Sequence, residues 1–163
     1  MALEKTKVIK LSGALKEKFI NLNLQGKNKK DIIIELVDLI GQSKKLKNKK
    51  VFLAALTKRE ALGSTGIGSG VAIPHAKTSA IGSFILAFAR KEEGIDFGAL
   101  DGEKTYLFFV LASPEKEVGD HLKILADISR LVKDKYMVEL LKRARDKKEI
   151  LKIISSAQKN PIG

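Results

Sequence analysis

Two apolar runs near the middle of the chain limit what it can fold into. Ser83-Phe84-Ile85-Leu86-Ala87-Phe88-Ala89 is one, and Tyr106-Leu107-Phe108-Phe109-Val110-Leu111-Ala112 is the other. A strand with one wet face alternates apolar and polar residues. Runs without that alternation predict strands covered on both faces. Asp101-Gly102 between them is a turn signal, and Ser113-Pro114 closes the second run.

Helical spacing dominates elsewhere. Ile32, Ile33, Leu36, Val37, Leu39 and Ile40 recur at helical intervals up to Gly41. Val51, Phe52, Ala55 and Leu56 predict a second helix that carries Arg59 at its C-terminal end. Beyond Gly119, one stripe runs through Leu122, Leu125, Ile128, Leu131 and Val132, and another through Met137, Val138, Leu140 and Leu141. Asp146 and Glu149 have the spacing of a capping box ahead of Ile150, Leu151, Ile153 and Ile154. Phe19-Ile20-Asn21-Leu22-Asn23-Leu24 alternates like a half-buried strand, and Val71-Ala72-Ile73 is a short β-branched segment between breakers. Helices at both ends and strands in the middle predict an α/β fold, a single layered domain with its sheet flanked by helices. Residues 1–18 read as a basic N-terminal extension and 19–163 as the domain. The pattern does not supply the strand order.

A chain of 163 residues suits one domain with a sizeable core. No apolar run approaches the ~18 residues that suggest a membrane span. The basic stretch Met1 to Lys18 has no apolar centre, so it does not read as a secretory signal. Cysteine is absent, which excludes a disulfide framework and a thiolate zinc site. A cytoplasmic protein is expected. The net charge of +12 raises nucleic acid or an acidic membrane surface as partners. Yet the lysines are scattered, and their dense cluster, Lys44-Lys45-Leu46-Lys47-Asn48-Lys49-Lys50, lies between two helical patterns and reads as a solvated loop. The phenylalanines lie mostly inside apolar runs and do not interleave with basic residues as base-stacking platforms do. Neither a nucleic-acid partner nor membrane insertion is expected.

The chemistry concentrates between Arg59 and His75. Gly63, Gly66, Gly68 and Gly70 make a turn whose amides can approach an anion, with Ser64 and Thr65 offering hydroxyls. Val71-Ala72-Ile73 and Pro74 then lead to His75, one of only two histidines. Imidazole, with an ordinary pKa of about 6.5, is neutral at working pH and forms a phosphoryl bond labile enough to pass on. A histidine that merely follows a proline at a strand end is the plain alternative. The turn is not a P-loop, because no Gly-Lys-Ser/Thr follows, and its glycine intervals do not fit a dinucleotide fingerprint. Direct nucleotide binding is therefore not expected, and no cofactor is. Two histidines without metal-type spacing give no metal site. Ser113, Asp120 and His121 suggest a hydrolase triad only loosely, with no nucleophile elbow around the serine.

The stretch Arg59-Glu60-Ala61-Leu62-Gly63-Ser64-Thr65-Gly66-Ile67-Gly68-Ser69-Gly70-Val71-Ala72-Ile73-Pro74-His75-Ala76 resembles the active-site signature of enzyme IIA proteins. These belong to the phosphoenolpyruvate-dependent sugar phosphotransferase system, fructose/mannitol (type 2) class, which includes nitrogen-regulatory relatives. The resemblance continues through Gly94-Ile95-Asp96-Phe97, Leu100-Asp101-Gly102, Phe108 to Ala112 and Asp120-His121-Leu122-Lys123-Ile124-Leu125. It covers roughly Phe19 to Ser155 and implies a mixed sheet. It implies His75 as phosphoryl acceptor, His121 beside it assisting transfer, and Arg59 lining the site. Ser64, Thr65, Gly66 and Gly68 are the weaker phosphate-loop candidates. The implied donor is a histidine phosphocarrier protein. The implied acceptor is a IIB component of a sugar transporter, fructose-type for preference, or a regulatory target in the nitrogen-control variant. No IIB or membrane segment is recognisable, so a free-standing cytoplasmic carrier is expected.

Overall fold

The computed structural model describes residues 11–159. The two apolar runs lie at the centre of its sheet, as strands β5 (Ile85–Ile95) and β6 (Thr105–Pro114). Ile85 to Ala89 and Leu107 to Ser113 are buried without interruption, so both faces of these strands are covered. They pair antiparallel, with Phe88 opposite Phe109, whose rings meet edge to face at 5.0 Å. Phe97 and Phe108 make a second such pair at 5.2 Å. Each pair adds about 1 kcal/mol beyond the area it buries.

Strand β1 (Leu15–Asn21) runs parallel to β5 on its outer side. It begins at Leu15, ahead of Phe19, because Leu15 is buried in register with Leu86. On the other side of β6 lie β3 (Val71–Ala72), parallel to it, and then β2 (Gly66–Gly68), antiparallel to β3. The order β1-β5-β6-β3-β2 gives the mixed sheet that the resemblance implied. Ser69 and Gly70 both have positive φ, +56° and +80°, which a two-residue hairpin between β2 and β3 requires. One further strand, β4 (His75–Thr78), was not read from the sequence. It pairs parallel with β6, His75 beside Leu111 and Lys77 beside Ser113. Pro74 had marked a stop. It starts a strand instead, and its carbonyl accepts from the amide of Leu111 at 3.0 Å.

The helices follow their apolar spacing. Helix α1 (Leu11–Ala14) is a single turn. Helix α2 (Lys29–Ile40) is capped by Asn28, and α3 (Lys49–Ala61) by Asn48. These two pack together, α2 against β5 and α3 against β4. Helices α4 (Val118–Val132), α5 (Lys135–Arg143) and α6 (Lys147–Lys159) form the other group. The Asp146 carboxylate accepts from the Glu149 amide at 2.8 Å, while Glu149 reaches back to the amide of Arg145 and not to that of Asp146. The lysines of the loop before α3 are exposed around a buried Leu46. Six of the seven phenylalanines are in the core and Phe84 is partly buried.

The stripe of α4 differs from the one its leucines suggested. Leu122 is 59 % exposed, and the buried face runs through His121, Ile124, Ile128, Leu131 and Val132. A histidine takes a core position one step round the helix from the leucine. Its partner on the sheet explains why.

Candidate functional site

His75 opens β4 and is half-buried. Its Nδ1 lies 2.7 Å from the carbonyl oxygen of Ile73. A carbonyl can only accept, so Nδ1 carries the proton and Nε2 keeps its lone pair. Burial lowers the pKa of His75. The bond to Ile73 opposes that, the charge of Arg59 lowers it further, and the charge of Glu60 raises it. The net direction is downward, which keeps the ring neutral and nucleophilic near neutral pH.

His121 stands in the first turn of α4, only 4 % exposed. Its ring centroid is 5.4 Å from that of His75. Burial, then the charges of His75 and Lys77, pull its pKa from 6.5 to about 4. The ring is neutral at physiological pH, the form that the positive end of a helix also favours. Its Nδ1 lies 2.7 Å from Oγ of Ser113, which is fully buried on β6.

Arg59 lies at the end of α3, and its charge acts on His75. One guanidinium nitrogen, Nη1, donates to the carbonyl of Gly63 at 2.9 Å, the local role of an arginine that closes a helix. That bond fixes the side chain and leaves other guanidinium N–H groups for an anion. So His75 and His121 are brought together, with Arg59 near enough for its charge to bear on His75.

The loop residues are turned inward. Ser64 Oγ donates to the carbonyl of Phe97 at 3.0 Å and accepts from the amide of Gly66 at 3.0 Å. Thr65 gives both its amide and its hydroxyl to the buried carboxylate of Glu60. Gly68 sits against the Asp101 carboxylate, whose Oδ2 would lie 3.0 Å from a Cβ built there. A carboxylate repels phosphate, and the amide of Ser69 is already spent on it at 3.0 Å. The amides of Thr65, Gly66 and Ser69 thus bind side chains of the protein. Gly66 and Gly68 lie in β2, which pairs with β3 just ahead of His75. The amide of Ile73 donates to the carbonyl of Thr65 at 3.0 Å, and the carbonyl of Ile73 in turn holds the His75 ring.

The sequence reading gave Glu60 and Lys77 no role here, and set Ser113 beside His121 only as a loose triad. Glu60 braces Thr65 and pairs with Lys29 at 2.7 Å. Lys77 acts electrostatically on His121. Ser113 holds the ring of His121. Only the alternation of a strand starting at His75 would have placed Lys77 on the face of His75. The triad idea also ends here. Ser113 is sealed from solvent and Asp120 is exposed. Among the described residues, no group of three or more histidines and carboxylates is arranged to hold a metal ion. No described helix is long and apolar enough to cross a membrane.

Known proteins resemble this chain in sequence and fold. The family model described as phosphoenolpyruvate-dependent sugar phosphotransferase system, EIIA 2, matches residues 14–157. The chain is 34 % identical over 151 residues to the fructose-specific EIIABC component of Bacillus subtilis, covering 93 % of this chain but only 24 % of that one. It is 34 % identical over 136 residues to a nitrogen regulatory protein of Bradyrhizobium diazoefficiens, covering 83 % of this chain and 86 % of that one. Its fold superposes on the crystal structure of nitrogen regulatory protein IIA-Ntr from Neisseria meningitidis with a TM-score of 0.83 and 30 % identity, over 88 % of this chain and 98 % of that one. The chain belongs to the type-2 enzyme IIA family of the phosphoenolpyruvate-dependent sugar phosphotransferase system, a family of phosphoryl carriers.

Proposed function

We propose that this chain accepts a phosphoryl group on Nε2 of His75 from a histidine phosphocarrier protein and passes it to a IIB component of a fructose-type transporter, in the cytoplasm. The observation that carries the reading is the bond from Nδ1 of His75 to the Ile73 carbonyl, at 2.7 Å. It leaves one nucleophilic nitrogen on a half-buried, neutral ring. In the first step the donor's P–N bond breaks as the P–Nε2 bond forms, and the donor's imidazole keeps the released electron pair. No proton moves on His75, because Nδ1–H stays on the carbonyl. Charge on the transferring oxygens is met by Arg59 and His121, the task that dominates phosphoryl transfer. The second step reverses the first onto the IIB acceptor.

The test is mass spectrometry after incubation with phosphoenolpyruvate, enzyme I and the histidine phosphocarrier protein. One acid-labile phosphoryl group is expected on the wild type and none on His75→Ala. An equal adduct on that variant ends the reading. The likeness to the Neisseria nitrogen regulatory protein favours a second reading, in which His75 phosphorylation is a signal. Transfer from phosphorylated protein to a fructose-type IIB separates the two: a rapid hand-over supports transport, and its absence supports regulation.

A further inference from the structure

We propose that Ser113 is a positioning residue for phosphoryl transfer: its hydroxyl donates to Nδ1 of His121 and holds that ring as the Nε2–H tautomer beside His75. The proposal rests on the carrier reading of His75. Ser113 has no exposed surface, so its hydroxyl must be satisfied inside the protein. Among the described residues its hydrogen-bond partner is Nδ1 of His121, at 2.7 Å. Two proton placements are open. With the proton on Nδ1, the ring donates to Oγ, and the serine hydrogen is left buried without an acceptor, a costly state. With the hydroxyl as donor, Oγ–H and the Nδ1 lone pair satisfy each other and the ring proton sits on Nε2.

The sheet register puts this bond where it matters. His75 lies beside Leu111 and Lys77 beside Ser113, so His75, Lys77 and Ser113 share one face of neighbouring strands. The imidazole of His121 comes down onto that face from α4, 5.4 Å from the His75 ring between centroids. Two neighbours therefore set two opposite tautomers. The Ile73 carbonyl draws the proton of His75 to Nδ1 and bares Nε2 for attack. The Ser113 hydroxyl fills Nδ1 of His121 and leaves its Nε2–H to donate to a phosphoryl oxygen. In the reverse tautomer, His121 would turn a lone pair toward the incoming negative charge. A serine inside an otherwise apolar strand end thus has a chemical task, which the oxygen of its side chain performs from behind the reacting pair.

Nitrogen-15 NMR of the unphosphorylated protein reads the tautomer directly, since the chain has only two histidines. The expected wild-type signature is a protonated Nε2 and a bare, hydrogen-bonded Nδ1 on His121. In Ser113→Ala the Nδ1 signal should move toward that of a free imidazole nitrogen and the Nδ1–H form should appear. Ser113→Thr, which keeps the hydroxyl, should restore the signature. Single-turnover transfer from the phosphorylated donor should slow about tenfold in Ser113→Ala, less than the loss of a direct charge-stabilising donor, and recover in Ser113→Thr. A protonated Nδ1 on wild-type His121 overturns the proposal, and that measurement needs no variant to fold. An unchanged Nδ1 signal or an unchanged rate in Ser113→Ala overturns it equally. The NMR readout requires no donor protein, so a wild type that takes no phosphoryl group defeats the carrier reading while the tautomer still judges Ser113.

Discussion

Acid should weaken this fold through His121 in a way that can be isolated. Its imidazole takes a proton near 6.5 in the unfolded chain but only at about 4 in the folded one, because burial and the charges of His75 and Lys77 disfavour the cation. The unfolded state therefore binds the proton first as pH falls. The stability tied to the neutral ring is complete above about pH 6.5 and drains away toward pH 4. Each decade of difference corresponds to ~1.4 kcal/mol, so the loss amounts to about 3 kcal/mol by pH 4. The perturbation is His121→Gln, which keeps a polar group at the site and removes the titration. Urea unfolding of both proteins at several values between about pH 7.5 and pH 4 gives two stability curves. Carboxylates bend both curves alike, so the gap between them reports His121. It should shift by about 3 kcal/mol against the wild type over that range. A gap constant to within ~0.5 kcal/mol, or an NMR titration of His121 near 6.5, would refute the reasoning.

Three further outcomes follow from the geometry. Arg59→Ala should raise the pKa of His75, since the guanidinium charge now lowers it, and should slow transfer roughly a hundredfold. Histidine NMR and single-turnover kinetics check the two halves. Glu60→Gln removes the partner of Lys29 and weakens the brace on Thr65; thermal and urea unfolding should show a loss of about 2 kcal/mol. Asp146→Ala removes the cap of α6 and should cost about 1 kcal/mol while leaving transfer at full rate.

Much of the fold was legible because burial writes itself into spacing. The runs around Phe88 and Phe109 and the stripe from Ile32 to Ile40 all became core. In α4 a polar partner overrode the hydrophobic pattern. Leu122 matches a helical stripe, but the core position belongs to His121 because Ser113 waits on the sheet to bond it. β4 escaped because a strand of four residues opening at a proline offers no periodicity to count. His75, His121 and Arg59 were picked out through their order along the chain, and the structure sets the two histidine rings 5.4 Å apart. The glycine turn reads differently in the structure. Glycines that could have turned amides toward an anion sit in a loop whose amides serve Glu60, Ser64 and Asp101. Composition records that amides are available and says nothing of what occupies them.

The short strand that carries His75 is locked to the centre of the sheet along its whole length. In the carrier role proposed for it, the one bare nitrogen of His75 would serve giver and taker alike, so the two proteins would take turns at one berth.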